Sequence, residues 1–306
     1  MRALVNAPDA SDGIELREVE DPVAAANQCV VEVQAASINR GALSLLEVRP
    51  DGWRPGQDVA GTVAQSAADG SGPPQGTRVV AWPEQGGWAE RMAVPTSHVA
   101  ALDGGVSPSV AATLPVAGVT ALRLVRVPPY LNGARLLVTG ATGGVGRFAI
   151  ELAAAQGAAV TALVRDADRA ADLIGLGAAD VVEDLAAVDG PFDAVLESVG
   201  GDVLSAALRL LAPGGTLMMF GNSSREPAEI DFRTWGGGGA RIVQFRIYES
   251  GEPPAHGADL ALLAGMVADG RLHPLVGLVV DWTRVGGALT ALRERRVAGK
   301  VVLEVS

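Results

Sequence analysis

The run Val138-Thr139-Gly140-Ala141-Thr142-Gly143-Gly144-Val145-Gly146 lies between an apolar, strand-like stretch (134–140) and a segment with Val145, Phe148, Ala149 and Leu152 at helical spacing. Its glycines follow an altered dinucleotide fingerprint, Ala141-x-Gly143-x-x-Gly146. A glycine motif alone is a weak signal. Here it joins a buried strand to the start of a helix, where free N–H groups and the helix dipole suit a pyrophosphate. Gly143 and Gly144 let the backbone approach the ligand, Gly146 lets the helix close on the sheet, and Ala141, Thr142 and Val145 complete the turn. The alternative is a glycine-rich turn with no ligand.

The pattern continues as alternating strand and helix: strand 158–164, helix 166–178, strand 179–184, strand 191–200, helix 203–215 and strand 216–221. Such an order predicts a parallel sheet built from βαβ units. About 20 residues past the turn, a fold that prefers NAD places an acid on the ribose 2′-hydroxyl. At that point stand Val164 and Arg165. A guanidinium can pair with a 2′-phosphate and lie against the adenine face, which points to NADPH. Alternatively, Asp166 caps the next helix, and Arg165 and Arg169 form a solvated charged face.

Before residue 116 the texture differs. Gly- and Pro-rich turns separate short β-branched runs such as 30–38 and 57–65, as in an irregular β-barrel. Beyond the glycine run 235–240 and a last strand, 241–250, the chain offers a helix at 258–270, a strand at 275–281, a helix at 284–296 and a final strand at 300–305. A chain of 306 residues exceeds the usual size of one domain. The boundaries predicted are a barrel of residues 1–117 plus 251–306, with a dinucleotide-binding domain of 118–250 inserted in it.

Composition narrows the function. With 48% hydrophobic residues the chain can bury large cores, and its net charge of −11 argues against nucleic acid or an anionic membrane as partner. Cys29 is the only cysteine, so a multi-cysteine zinc or iron–sulfur site is excluded by counting, and only His98, His256 and His273 offer imidazole. Nowhere do about 18 uninterrupted apolar residues occur, and a soluble, cytoplasmic protein is expected. Lys300 is the only lysine.

These segments, read together, resemble the medium-chain dehydrogenase/reductase superfamily, and within it the zinc-free quinone oxidoreductase branch. The marks are INR (38–40), RPGQDVAGTV (54–63), TLPVAGVTAL (113–122), VTGATGGVG (138–146), DAVLESVGG (193–201) and GKVVLEV (299–305), in order over nearly the whole chain. The resemblance implies an α/β fold, a doubly wound Rossmann sheet inserted in a GroES-like irregular β-barrel. It also implies that Asn39 and Thr120 lie near the nicotinamide and its ribose, and that Val199, Phe220, Gly221 and Asn222 follow strands lining the cofactor. Asn39 could otherwise be a turn residue bonded to its own backbone. Zinc-using relatives carry Gly-His-Glu where this chain has Gly56-Gln57-Asp58, and a cysteine near Ser37 and Asn39; both are absent, so no metal ligand is assigned. Lys300 falls in the family's Gly-Lys pair and is not assigned to the site.

Two departures stand out: Ala42 replaces an acid frequent in the family, and the loop where enoyl reductases carry a donor tyrosine holds Trp53, either a stacking wall or plain packing. The reading that results is an NADPH-dependent, metal-free transfer of hydride to a quinone or α,β-unsaturated carbonyl compound, with Asn39 as the catalytic donor. The alternatives are a tailoring enone or enoyl reductase of a biosynthetic pathway and a non-catalytic NADPH-binding regulator. The alternation of Val243, Phe245 and Ile247 in an edge strand, with the family's habit, implies a homodimer through 241–248; otherwise a loop or helix of the same chain covers that edge.

Overall fold

A computed structural model describes residues 1–128, 130–231, 233, 238–248 and 256–306. It divides into two compact units, Met1–Val119 with Pro253–Ser306, and Thr120–Glu252.

In the first unit β1 (Arg2–Asn6) and β2 (Ile14–Glu18) form an antiparallel pair. Then come β3 (Gln28–Ile38), α1 (Arg40–Val48), β4 (Val59–Gln65), β5 (Arg78–Ala81), β6 (Arg91–Pro95) and β7 (Val99–Ala101). The long strand β3 organises them, because β4 and β6 both pair with it antiparallel. Alternate residues Val31 and Val33 are buried while Glu32 and Gln34 are exposed, but Ala35 to Ile38 are buried without a break. That second half lies between β4 and β15 (Lys300–Glu304), and its side chains are mostly small. Gly61 of β4 shows how close β3 and β4 come: a Cβ there would lie 1.9 Å from the Glu32 carbonyl oxygen.

The second unit holds a six-stranded sheet of β8 (Arg135–Val138), β9 (Ala159–Leu163), β10 (Ala178–Val182), β11 (Phe192–Glu197), β12 (Leu211–Met219) and β13 (Arg241–Gln244). Its order is β10-β9-β8-β11-β12-β13, with every pair parallel. Numbered from its own first strand this is 3-2-1-4-5-6, the Rossmann order. Helix α2 (Gly144–Ala154) connects β8 to β9 and α3 (Gly201–Arg209) connects β11 to β12.

The chain then re-enters the first unit with α4 (His256–Ala268), β14 (Val276–Asp281), α5 (Val285–Arg293) and β15 (Lys300–Glu304). β15 pairs antiparallel with the second half of β3, Val301 facing Ile38 and Glu304 facing Ala35. The result is a seven-stranded sheet, β14-β15-β3-β4-β5-β7 with β6 added to β3. Its core includes Val31, Trp88, Trp282, Val301 and Leu303, all at most 1% exposed. Side chains of this kind contribute roughly 1.5–3 kcal/mol each when fully buried.

Three predicted elements come out differently. The helix expected over 203–215 ends at Arg209, because Pro213 cannot continue it and Leu211 instead pairs with Phe192 in the sheet. The helix expected over 166–178 is reduced to a 3-10 turn (Asp168–Ala170) and a short helix (Asp172–Gly175), stopped where Gly177 takes a φ of +103°. The strand expected over 241–250 is β13 alone, four residues at the sheet edge; Glu249 and Ser250 lie outside the described residues, as do 235–237 of the glycine run. Among the described residues no helix is long and apolar enough to cross a membrane.

Cys29 sits inside β3, fully buried, its Sγ 3.8 Å from the Val94 carbonyl oxygen. Burial pushes its thiol pKa up, which keeps the group in its unreactive neutral form. The native protein is expected to resist an aromatic disulfide reagent that labels one thiol per chain in guanidinium; rapid labelling without denaturant would contradict this packing.

Candidate active site

In the second unit the glycine run forms the turn from β8 into α2. Gly143 is the N-cap and no side chain caps the helix, so its first N–H groups are left for another acceptor. The turn is closed by Gly143 N–H donating to the Gly140 carbonyl at 3.0 Å. A Cβ on Gly146 would lie 2.6 Å from the Gly140 oxygen and 2.7 Å from the Ala141 Cα, so only glycine lets the helix sit this close. Ala141 is buried, Thr142, Gly144 and Val145 are half-buried, and Gly143 is exposed. β9 lies on one side of β8 and β11 on the other, which makes the end of β8 the switch point where open α/β sheets bind ligands.

Six other residues assigned to this site follow strands at the same, C-terminal edge of the sheet. Val164 follows β9 and is buried; Arg165 beyond it is exposed, and among the described residues its guanidinium makes no ion pair. Val199 follows β11, and Phe220, Gly221 and Asn222 follow β12, tied back by Phe220 N–H to the Glu197 carbonyl at 2.9 Å. Asn222 holds its own turn: its Oδ1 accepts from Ser224 Oγ at 3.0 Å and from Arg225 N–H at 3.1 Å. Thr120 is buried in the helix Val119–Leu124.

Asn39 belongs to the first unit, where it follows β3 and is the N-cap of α1 without capping it. Its side chain turns instead to two residues the sequence reading left out. The β3–β15 register, Val301 opposite Ile38, carries one step further to set Lys300 opposite Asn39; the β3–β4 register, Val59 opposite Ala36, sets Asp58 opposite Ser37. Lys300 Nζ donates to Asn39 Oδ1 at 2.5 Å and to Asp58 Oδ2 at 3.0 Å. Asn39 Nδ2 donates to Asp58 Oδ2 at 2.8 Å, Ser37 Oγ does so at 2.5 Å, and Val116 N–H reaches Asp58 Oδ1 at 2.8 Å. Asp58 is fully buried and Lys300 is 5% exposed. A signal for this cluster was present: the single lysine, and an acid in the segment where relatives carry their metal motif.

A family model described as "Zinc-binding dehydrogenase" matches residues 167–303. The "Probable quinone oxidoreductase" of Schizosaccharomyces pombe is 32% identical over 221 residues, 67% of this chain and 66% of that one. The "Spectinabilin polyketide synthase system protein NorB" of Streptomyces orinoci is 31% identical over 291 residues, 91% of this chain and 13% of that one. Among solved structures, a mycobacterial protein complexed with NADPH superposes with a TM-score of 0.86 at 24% identity, covering 99% of this chain and 100% of that one. This chain belongs to the medium-chain dehydrogenase/reductase superfamily, in its quinone oxidoreductase branch. It spans 4% to 13% of the length of the first polyketide synthases it matches.

For a member of this superfamily the residues around Asp58 bear directly on zinc. They do not fit it. Gln57 spends its Nε2 on the Glu84 carbonyl at 2.9 Å, Ser37 is spent on Asp58, and the cation beside the carboxylate is the Lys300 ammonium. Among the described residues no three His, Cys, Asp or Glu side chains group as metal ligands. Trp53 donates its indole N–H to Gln85 Oε1 at 3.0 Å, carries the Arg49 guanidinium 5.6 Å from its ring centroid and packs partly on the core, while Ala42 packs there too.

One buried acid underlies the strand-end edge of the superfamily's nucleotide unit. Glu197, the last residue of β11, accepts from Val199 N–H at 2.7 Å, Gly200 N–H at 3.0 Å and Thr139 Oγ1 at 3.1 Å, so it shapes the turn that presents Val199. Its pKa is raised: loss of hydration outweighs the donors that favour the charged form. A folded pKa above the unfolded one gives stability that is complete below the unfolded value and is lost as pH rises through the folded one. Thermal unfolding between about pH 4 and 8 is expected to show a component falling with pH in the wild type and missing from Glu197→Gln; equal slopes would refute this assignment.

Proposed function

We propose that this chain is an oxidoreductase that uses NADPH, without a metal, to reduce a quinone or an α,β-unsaturated carbonyl compound. Arg165 carries the cofactor half of the reading: an exposed guanidinium with no ion pair among the described residues, just past the second sheet strand, beside a buried Val164. It pairs with the 2′-phosphate. The turn Ala141 to Val145 holds the pyrophosphate with its free N–H groups, and Gly146 keeps the helix close enough to do so. The mycobacterial structure solved with NADPH and the quinone oxidoreductase names of one relative and of several solved structures support the same reading.

Bound NADPH supplies the hydride. The protein holds the acceptor and offers a donor where negative charge develops on oxygen. Asn39 is that donor, a contribution on the order of 10²–10³ in rate for one well-placed group. With Trp53 committed to Gln85 and Arg49 and no tyrosine in its loop, the product oxygen takes its proton from solvent, which suits quinones and simple enones. The match over 91% of the chain to a polyketide synthase favours a second reading, reduction of a polyketide-like enone. Turnover with a quinone against turnover with a simple enone separates the two, and binding of NADPH with no oxidation by any acceptor would leave a regulator.

Titration of NADPH and NADH by cofactor fluorescence tests Arg165. Arg165→Ala is expected to weaken NADPH about 10- to 100-fold, the range of a charge-assisted pair, and to leave NADH nearly unchanged. Equal losses would remove the NADPH assignment.

We also propose a homodimer through the 241–248 segment. β13 is the edge of its sheet; of the alternation expected there Val243 and Phe245 are half-buried and Ile247 is 8% exposed, while Ile242 and Tyr248 are 36% and 63% exposed. An edge of this kind invites pairing with a two-fold copy. Light scattering at micromolar concentration should give twice the chain's 31.1 kDa; a monomer mass would dismiss it.

A further inference from the structure

We propose that Lys300 and Asp58 are positioning residues that orient the Asn39 carboxamide, an inference that rests on the role of Asn39 given above. A side-chain amide has two faces to confuse, NH2 and C=O. Here its neighbours allow one arrangement. A carboxylate only accepts and an ammonium only donates, so the Asn39 NH2 must face Asp58, at 2.8 Å, and its oxygen must face Lys300, at 2.5 Å.

The rest of the network is saturated. The three ammonium hydrogens go to Asn39 Oδ1, Asp58 Oδ2 and, at 3.5 Å, the Ile38 carbonyl. The carboxylate takes Ser37, Asn39 and Lys300 on one oxygen and the Val116 amide on the other. Ser37 is itself fixed, its carbonyl accepting the indole N–H of the buried Trp88 at 3.2 Å. One donor remains, the second N–H of Asn39, on a residue that is only half-buried. The buried pair thus converts a freely rotating amide into a donor with one direction. It also polarises that donor, because the ammonium draws charge onto the amide oxygen. The only lysine of the chain is spent on this task.

The test is a double-mutant cycle on the full-length protein, with Lys300→Met, Asn39→Ala and the pair of them, read by kcat and KM for the better acceptor and by NADPH affinity. Lys300→Met is expected to lower kcat about 100-fold, near the loss from Asn39→Ala, with NADPH affinity unchanged. In the Asn39→Ala background the same change should alter kcat less than about 2-fold. Lys300→Arg, which restores a cation, should recover part of the loss. A second readout needs no turnover: the Asn39 side-chain amide signals in a ¹⁵N-asparagine spectrum, identified by their loss in Asn39→Ala, should move to those of a free amide in Lys300→Met.

Additive losses, an unchanged kcat in Lys300→Met or unmoved amide signals would overturn the positioning role alone. An Asn39→Ala enzyme with full kcat would instead remove Asn39 as the donor and the inference with it. Should Lys300→Met fail to fold because it strands the Asp58 charge, Asp58→Asn with Lys300→Met removes both charges and completes the same cycle.

Discussion

The antiparallel pairing of β15 with the end of β3 is the contact on which the first unit depends. It brings residue 300 beside residue 39, across 261 positions of chain, and so can form only after the intervening unit has been spanned. Loop closure over that length grows only logarithmically in cost, while the strands it joins bury Ala36, Ile38, Val301 and Leu303 completely or nearly so. The same pairing completes the sheet on the side away from β4. A chain lacking β15 would leave the buried half of β3 with an open edge and Asp58 without its counter-ion.

That counter-ion is the expensive part. Burying a carboxylate and an ammonium costs several kcal/mol per ion in lost hydration, and a well-packed apolar pair of the same volume is often as stable or more so. Stability alone does not explain why a chain rich in apolar residues keeps Asp58 and Lys300 at 0% and 5% exposure. Their geometry does. Each polar atom of the pair has a partner, and both members of the pair bond the same half-buried amide, that of Asn39. A charged pair whose bonds lead to one outward donor is an orienting device, and its cost is the cost of directing that donor.

Much of this molecule is legible in its sequence, and the limits have identifiable causes. The parallel sheet could be read because β8, β9 and β11 are largely apolar runs alternating with helical segments, and because the glycine turn names the strand that comes first. The end of the helix at Arg209 could not, since Leu210 and Leu211 continue the helical spacing and only the bulged pairing of Leu211 with Phe192 reveals where the sheet begins. Asn39, Arg165 and the turn residues could be proposed from motif and position. Asp58 and Lys300 were not, because their meaning lies in two strand registers, and a register is a relation between distant segments that no local pattern contains. Glu197 was hidden for a similar reason: an acid at the end of an apolar strand looks like solvent-facing punctuation until its three donors are seen.

The net charge of −11 sets a problem for a protein proposed to hold a cofactor with several phosphate charges. Long-range attraction cannot solve it, because the field of the whole molecule points the wrong way and salt screens it beyond about 8–10 Å. The solution must be local. The uncapped start of α2 concentrates the partial positive charge of its free N–H groups at one point, and Arg165 places a full charge at another, both at the same edge of one sheet. Asp172 holds the guanidinium of Arg147, which also lies in the first turns of α2, at 2.6 Å. Of these two arginines, then, one is neutralised within the fold and the other makes no ion pair among the described residues, and under the proposed NADPH reading discrimination between a phosphorylated and an unphosphorylated ribose falls to Arg165.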